Sequence, residues 1–70
     1  MDTTELRFSQ LYESHYDQVY RYVARRVIGV DVADATAEVF LVAWRRIGDV
    51  PQDAALAWLY RCARYTLANE

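Results

Sequence analysis

The chain has 70 residues and a formal net charge of −2, the size of one small domain, and it lacks the basic excess of a protein that simply coats duplex DNA. Glycine is scarce, proline occurs once, and six tyrosines, two tryptophans and two phenylalanines are available for a core, which excludes a disordered chain and disfavours tightly turned strands. The single cysteine, Cys62, excludes an internal disulfide and a cysteine-based zinc site, and it agrees with a reducing cytoplasm.

The first predicted element is a long helix from about Thr4 to Val27. A variant of the capping box, D-x-x-E from Asp2 to Glu5, stands at its start, and Gly29 is suited to end it. A kink near Ser14 would divide this helix and give four helices instead of three. His15 lies within the apolar stripe and is interpreted as a seam histidine with one satisfied nitrogen, because no second histidine exists to share a ligand. The stripe repeats at three- and four-residue spacing: Phe8, Leu11, Tyr12, Tyr16, Val19, Tyr22, Val23 and Val27.

The second predicted helix runs from Asp31 to Ile47, with Asp31 as its N-cap. Its acidic start and arginine-rich end both suit the helix dipole. The predicted core side consists of Val32, Ala35, Thr36, Val39, Phe40, Ala43 and Ile47, with Trp44 at its border. The opposite side consists of Asp34, Ala37, Glu38, Leu41 and Arg45. Leu41 is apolar among charged residues, so it is either a scattered surface leucine or an anchor for a partner.

The connector from Gly48 to Gln52 cannot continue a helix, because Pro51 lacks an N–H group and restricts the residue before it. Such a short polar loop can carry a binding pocket. Asp53 is then predicted to cap a third helix that runs from about Ala54 to the end of the chain. No C-cap signal precedes Glu70, so we expect this sequence to end inside this helix, with the rest of the helix missing. Its predicted core stripe consists of Leu56, Leu59, Tyr60, Ala63 and Leu67.

The other side of the third helix carries two large aromatic side chains between polar ones. Aromatic rings flanked by arginine and an amide can stack unpaired bases and hold a phosphate. The structural alternative is a helix that buries both of its faces. The spacing favours burial for Trp58, and for Tyr65 it does not favour either interpretation. The residues on this side are Trp58, Arg61, Cys62, Tyr65 and Asn69.

The residues give no indication of an enzyme or of a cofactor. The sequence has no glycine-rich phosphate loop and no H-E-x-x-H motif, and a single histidine leaves no Ser-His-Asp set. Asp34 and Glu38 lie one turn apart, but two carboxylates on an exposed helix usually form a solvated face. No apolar run is as long as 18 residues and the chain does not start with a charged-then-apolar stretch, so we expect neither a membrane span nor a secretory signal.

Three blocks of residues occur in order along the chain. The first is Phe8-x-x-Leu11-Tyr12-x-x-x-Tyr16-x-x-x-Val19-Tyr20-Arg21-Tyr22. The second is Asp31-x-x-Asp34-x-x-x-Glu38-Val39-Phe40-Leu41-x-Ala43-Trp44, similar to a D-L-x-Q-E-x-F motif, and the third is Ala57-Trp58-Leu59-Tyr60-Arg61-Cys62-Ala63-Arg64, similar to T-W-L-x-R-I-A-R. Together they cover nearly the whole chain and resemble region 2 of bacterial sigma factors of the extracytoplasmic-function group.

The resemblance implies an all-α fold, a small antiparallel bundle of three helices forming a single region 2 domain over residues 1–70, without the region 4 domain. It implies a cytoplasmic transcription initiation module, with RNA polymerase core and single-stranded minus-ten promoter DNA as partners, and in some cases an anti-sigma factor. The residues that fall on the face for the β′ clamp-helix coiled coil are Asp34, Glu38, Leu41 and Arg45. Those that fall on the DNA-binding segments are Asp49, Gln52, Asp53, Trp58, Arg61, Arg64, Tyr65 and Asn69.

Three positions depart from the family pattern. Ala35 and Ala37 stand where leucine and glutamine are usual, and the missing glutamine at position 37 removes one polar contact to polymerase. Tyr65 stands where an asparagine is common in the base pocket.

An alternative from another functional class is a helical domain that binds only proteins. The side of the third helix that carries aromatic residues and arginines distinguishes this alternative from a sigma region 2 module, since a domain that only docks on proteins does not need such a side. A helix-turn-helix reader of duplex DNA fits less well, because the helix after the connector carries Trp58 and Leu59 instead of a polar recognition face.

Overall fold

The computed structural model describes residues 3–28 and 31–68. In these ranges the chain forms three α-helices and one short 3-10 helix, without a strand: α1 is Thr3–Arg26, α2 is Val32–Arg45, the 3-10 helix is Ile47–Asp49, and α3 is Ala55–Ala68. Each α-helix packs against the other two. The all-α bundle predicted from the sequence is therefore confirmed. None of the described helices has the length and apolarity needed to cross a membrane.

Ring and sulfur contacts give the directions of the helices. On α1 and α2, Phe8 meets Trp44 while Tyr16 meets Phe40, so residue numbers rise on one helix as they fall on the other. Between α2 and α3, the thiol of Cys62 donates a hydrogen bond of 3.8 Å to the carbonyl oxygen of Val39. At the other end of this pair, Arg46 lies over the ring of Trp58. Consecutive helices are antiparallel, and α1 and α3 consequently run in the same direction.

Helix α1 is one continuous helix of 24 residues, so the division near Ser14 that would have given a fourth helix does not occur. Three of its residues, Leu11, Val19 and Val23, are buried, as the predicted stripe requires. The proposed caps at Asp2 and Gly29 lie outside the described residues.

Helix α2 begins as predicted. The Asp31 carboxylate accepts a hydrogen bond of 3.2 Å from the backbone N–H of Asp34, which satisfies one of the free donors of the first turn. The predicted end at Ile47 was wrong by two residues. Arg46 leaves the helical region, with φ −116° and ψ 29°, and the chain then tightens into the 3-10 helix, although Ile47 still packs against the core.

The start of α3 also differs from the prediction. The first helical hydrogen bond joins the N–H of Trp58 to the carbonyl oxygen of Ala54 at 3.1 Å. Since the N-cap residue is the one whose carbonyl accepts this bond, Ala54 and not Asp53 occupies the N-cap position. The helix itself begins at Ala55, one residue after the predicted start.

The core lies where the three helices meet. Among the described residues, Thr36 is the one polar residue buried in this core. Its hydroxyl donates a hydrogen bond of 2.8 Å to the carbonyl oxygen of Val32 and is therefore satisfied. Cys62 was expected on the outer side of α3, but it is buried, since α2 covers that side of the helix near Val39. The buried apolar residues are Leu11, Val19, Val23, Ala35, Val39, Phe40, Ala43, Val50, Leu59, Cys62 and Ala63.

Candidate functional site

The outer face of α2 consists of Asp34, Ala37, Glu38, Leu41 and Arg45, and all five are exposed. Leu41 has 47% of its surface in contact with solvent, whereas the preceding residue, Phe40, has 2%. The helix thus separates two large apolar neighbours completely, one into the core and one onto the surface. Leu41 is the one large aliphatic residue on this face.

An exposed aromatic residue lies beside Leu41. Trp44 is 40% exposed, and its ring packs edge-on against Phe8 with 5.3 Å between centroids and 77° between planes. Residues three apart on a helix are neighbours on its surface. Leu41 and Trp44 therefore form an apolar edge on the outer face, and Phe8 on α1 holds the indole in place.

A groove between α2 and α3, here called the Trp58 groove, has a volume of about 360 Å³. Trp58 is half-buried in it, while Tyr65 stands 67% exposed at its side. Trp58, which was predicted to be buried, is therefore only partly buried. Tyr65, for which both interpretations were open, lies on the surface. The lining residues are Val42, Arg46, Trp58, Arg61, Cys62, Tyr65 and Thr66.

Arg46 was not among the residues singled out from the sequence for this groove. Its guanidinium lies 5.9 Å from the centroid of the Trp58 ring, and its Nε is 3.3 Å from a carboxylate oxygen of Asp49. Both partners of this ion pair are exposed, so the pair adds little to stability. The 3-10 helix follows Arg46 and turns the chain towards α3, whose Trp58 ring then lies under the guanidinium. The sequence signal was only a second arginine after Arg45.

The Cys62 thiol forms the floor of the Trp58 groove. Burial raises the pKa of this thiol, and a hydrogen bond with Thr66 and the positive charge of Arg46 offset the shift only in part. The group is therefore a protonated, apolar part of the wall at neutral pH, without the character of a reactive thiolate.

A second cavity, here called the Arg7 pocket, lies between α1 and the connector and has a volume of about 160 Å³. Arg7 donates a hydrogen bond of 2.8 Å to the carbonyl oxygen of Val50. The Nδ1 atom of His15 is buried without a hydrogen-bond partner among the described residues. The expectation of one satisfied nitrogen therefore stays a prediction for Nε2. Gln52 is the predicted DNA-binding residue found here. The lining residues are Arg7, Gln10, Leu11, Ser14, His15, Ile47, Val50, Pro51, Gln52 and Ala55.

A third groove, here called the Tyr22 groove, lies between α1 and α3 with a volume of about 240 Å³. The rings of Tyr22 and Tyr60 stack across it, 4.9 Å between centroids and 24° between planes. Two predicted DNA-binding residues, Arg61 and Arg64, line it together with Ala57. Arg61 also lines the Trp58 groove, so its side chain lies between the two.

The predicted DNA-binding residues are therefore not brought into one site. Their positions follow from α3 having α1 on one side and α2 on the other, so that its outer surface borders two grooves. Asp49 and Asp53 are exposed on the connector, and Asn69 lies outside the described residues. Trp58, Arg61 and Tyr65 share the Trp58 groove, Arg64 lies in the Tyr22 groove, and Gln52 lies in the Arg7 pocket.

Comparison with known families identifies this helical bundle. The family model for sigma-70 region 2 matches residues 11–70, and the chain belongs to this family. A curated relative, the ECF RNA polymerase sigma factor BldN of Streptomyces coelicolor, is 43% identical over 65 residues, which cover 89% of this chain and 25% of the relative. Together these matches confirm the resemblance to region 2 of the extracytoplasmic-function group. The chain spans about a quarter of the length of that relative, and no solved structure matches it.

Proposed function

We propose that this chain docks on the RNA polymerase core through the outer face of α2 and captures single-stranded promoter DNA on α3 and the connector. The exposed Leu41, beside the buried Phe40, is the observation that carries the docking half of the proposal. An apolar side chain surrounded by charged ones has the form of an interface anchor with a polar rim. The resemblance supplies the partner surface, the β′ clamp-helix coiled coil.

The charges around Leu41 suit such a partner. Asp34 and Glu38 lie on the N-terminal side of Leu41 and Arg45 lies one turn after it, all exposed. Carboxylates on this face can form charge-assisted hydrogen bonds with arginines of a partner helix. Ala37 lies among them where the family commonly has glutamine, so we expect apolar burial at Leu41 to contribute more of the affinity here.

For the DNA strand, the Trp58 groove supplies the groups that unpaired bases require. Trp58 and Tyr65 offer aromatic faces for stacking, and Arg46 and Arg61 offer positive charge for the backbone. The Arg7 pocket, at about 160 Å³, resembles in volume an engineered cavity of about 150 Å³ that binds benzene. It can therefore hold one ring of about that size, with Gln52 as a hydrogen-bonding side chain in its wall.

Consecutive residues of α2, together with Arg46 directly after it, serve the two surfaces. Leu41 and Arg45 point outward from the bundle, whereas Val42 and Arg46 line the Trp58 groove. A polymerase helix docked on the outer face would consequently lie beside the groove, so that the strand and the polymerase share α2 as a common wall.

The docking half is tested by comparing two leucines of nearly equal exposure. Leu41 is 47% exposed on α2, and Leu6 is 48% exposed on α1. Binding of each variant to core RNA polymerase from Streptomyces coelicolor, the organism of the curated relative, would be measured by fluorescence anisotropy of labelled chain. Leu41→Arg should reduce affinity at least tenfold, by roughly 1.4 kcal/mol or more, and Leu6→Arg should not. Equal affinities for the two variants would refute the docking assignment.

The strand half is tested with Tyr65→Ala, with Tyr20→Ala as the control because Tyr20 is an exposed tyrosine on α1. Tyr65→Ala should weaken binding of labelled single-stranded DNA by about 1–3 kcal/mol, the usual contribution of one stacked base. The native chain should prefer the single strand to the matching duplex. A chain that binds polymerase but binds the two forms of DNA equally would instead be a protein-interaction domain without strand capture.

A further inference from the structure

The Tyr22 groove joins aromatic rings and arginines from two helices. Tyr22 of α1 stacks on Tyr60 of α3, and the guanidinium carbon of Arg26 lies 4.3 Å from the Tyr22 ring centroid. Tyr22 therefore contacts both groups, Tyr60 by ring stacking and Arg26 by a cation–π contact. The result is a stack of arginine, tyrosine and tyrosine that runs from α1 to α3.

This stack fixes Arg26 and leaves its donors available. A guanidinium that lies over an aromatic face is held by cation–π attraction, while its N–H groups point outward in the plane of the fork. Among the described residues the one ion pair joins Arg46 to Asp49, so Arg26 has no carboxylate partner there. From the sequence, Arg26 needed no role beyond suiting the dipole at the end of α1.

The surroundings of the stack are basic. Arg61 and Arg64 line the groove with Tyr22 and Tyr60, and no acidic residue is among its described lining. Arg26 does not line the groove itself, but its contact with Tyr22 brings a third arginine to the edge of the groove, in a chain whose net charge is −2. Planar guanidinium groups grouped in this way favour a ligand with several phosphate oxygens.

We propose that the Tyr22 groove binds the phosphate backbone of the same DNA whose bases the Trp58 groove captures, with Arg26 of α1 as a phosphate-contacting residue. The inference rests on the proposed function, since it concerns the same DNA strand. Arg61 borders both grooves and makes the two surfaces continuous. The DNA-binding surface thus extends beyond α3 onto α1. The contact is to the backbone and is independent of base sequence.

The test uses the chain with a labelled single-stranded DNA of random sequence, about 12 nucleotides long, within the usual range of site sizes. Dissociation constants would be measured over a series of salt concentrations. Arg26→Ala should weaken binding by roughly three- to tenfold, and the slope of log affinity against log salt should become shallower by about 0.7, the value for one phosphate contact on a single strand. Arg21→Ala is the matched control, since it removes the same charge from an exposed position of the same helix.

The outcomes distinguish this inference from the proposed function. If the native chain binds the DNA and Arg26→Ala binds equally well, the Tyr22 groove is not a backbone site, while strand capture by the Trp58 groove stands. Equal losses for Arg26→Ala and Arg21→Ala would reduce the effect to overall charge and overturn the inference. Intact DNA binding combined with weaker binding to core polymerase would assign Arg26 to an acidic protein surface instead. A native chain that does not bind the DNA at all would refute both proposals.

Discussion

The guanidinium of Arg7 on α1 donates a hydrogen bond of 2.8 Å to the carbonyl oxygen of Val50 in the connector. These two residues are 43 positions apart in the sequence, and Val50 itself is buried. The bond thus ties the loop between α2 and α3 to the first helix. It also closes one side of the Arg7 pocket, in which Gln52 lies.

Replacing Arg7 should therefore destabilise the domain and loosen the connector. We expect Arg7→Ala to lower the free energy of unfolding by about 1.5 kcal/mol, since a hydrogen bond from a charged donor contributes about that much. Urea unfolding followed by circular dichroism would measure the loss. Arg21→Ala, which removes an exposed arginine of the same helix, should change stability by less than about 0.5 kcal/mol; a comparable loss there would mean that Arg7 acts through charge alone.

Adjacent residues on α2 should respond in opposite ways to truncation. Phe40 is buried against the rings of Phe8, Tyr12 and Tyr16, so Phe40→Ala should cost about 3–5 kcal/mol. That cost approaches the total stability of a small domain. Leu41→Ala should cost less than about 0.5 kcal/mol. Thermal unfolding measures both, and a large loss for Leu41→Ala would show that its exposed side chain serves the fold and not a partner.

The Cys62 thiol should resist alkylation in the folded chain. It is buried, and burial raises its pKa, so the thiolate that reacts is scarce near neutral pH. Labelling with iodoacetamide should be slow in buffer and fast in urea. Rapid labelling in buffer, at a rate close to that in urea, would contradict the burial of Cys62 between α2 and α3.

The raised pKa also predicts how stability depends on pH. The folded chain holds the Cys62 proton more tightly than the unfolded chain does, so the contribution is constant below the ordinary thiol pKa of about 8.5. Above that pH the unfolded form ionises first, and stability falls until the folded thiol also ionises. Cys62→Ser changes size little and should remove this alkaline decline; an unchanged pH profile would assign the decline to other groups.

The two tryptophans should report separately on the two proposed surfaces. Trp58 lies in the Trp58 groove, whereas Trp44 is exposed on α2 and packs on Phe8. Bases that stack on Trp58 should quench its fluorescence. The quenching by single-stranded DNA should persist in Trp44→Phe and disappear in Trp58→Phe, and the reverse result would move the strand to the outer face of α2.

Local sequence patterns were sufficient to predict the helices and their buried sides. The 3.6-residue period assigns Phe40 inward and Leu41 outward on α2 without any knowledge of the neighbours, because one turn of helix has only one core-facing side. Asp31 was predicted as a cap for the same local reason: its carboxylate reaches an N–H three residues away. The end of α2 and the start of α3 were less accurate, since a 3-10 turn and a one-residue shift of the cap leave little trace in composition.

By itself, the sequence determined that this chain is a three-helix bundle with the motifs of sigma region 2 and a solvent-exposed Leu41 on its second helix, because periodicity and motif spacing are properties of each segment alone. Only the tertiary structure decided which long-range neighbours meet. Cys62 is buried because α2 covers it, Arg46 lies over Trp58 because the chain after Arg46 turns back towards α3, and Arg26 reaches α3 through Tyr22. Apart from the local contact of Arg26 with Tyr22, those contacts join separate elements of the chain, and they depend on how three amphipathic helices pack, which no single helix encodes.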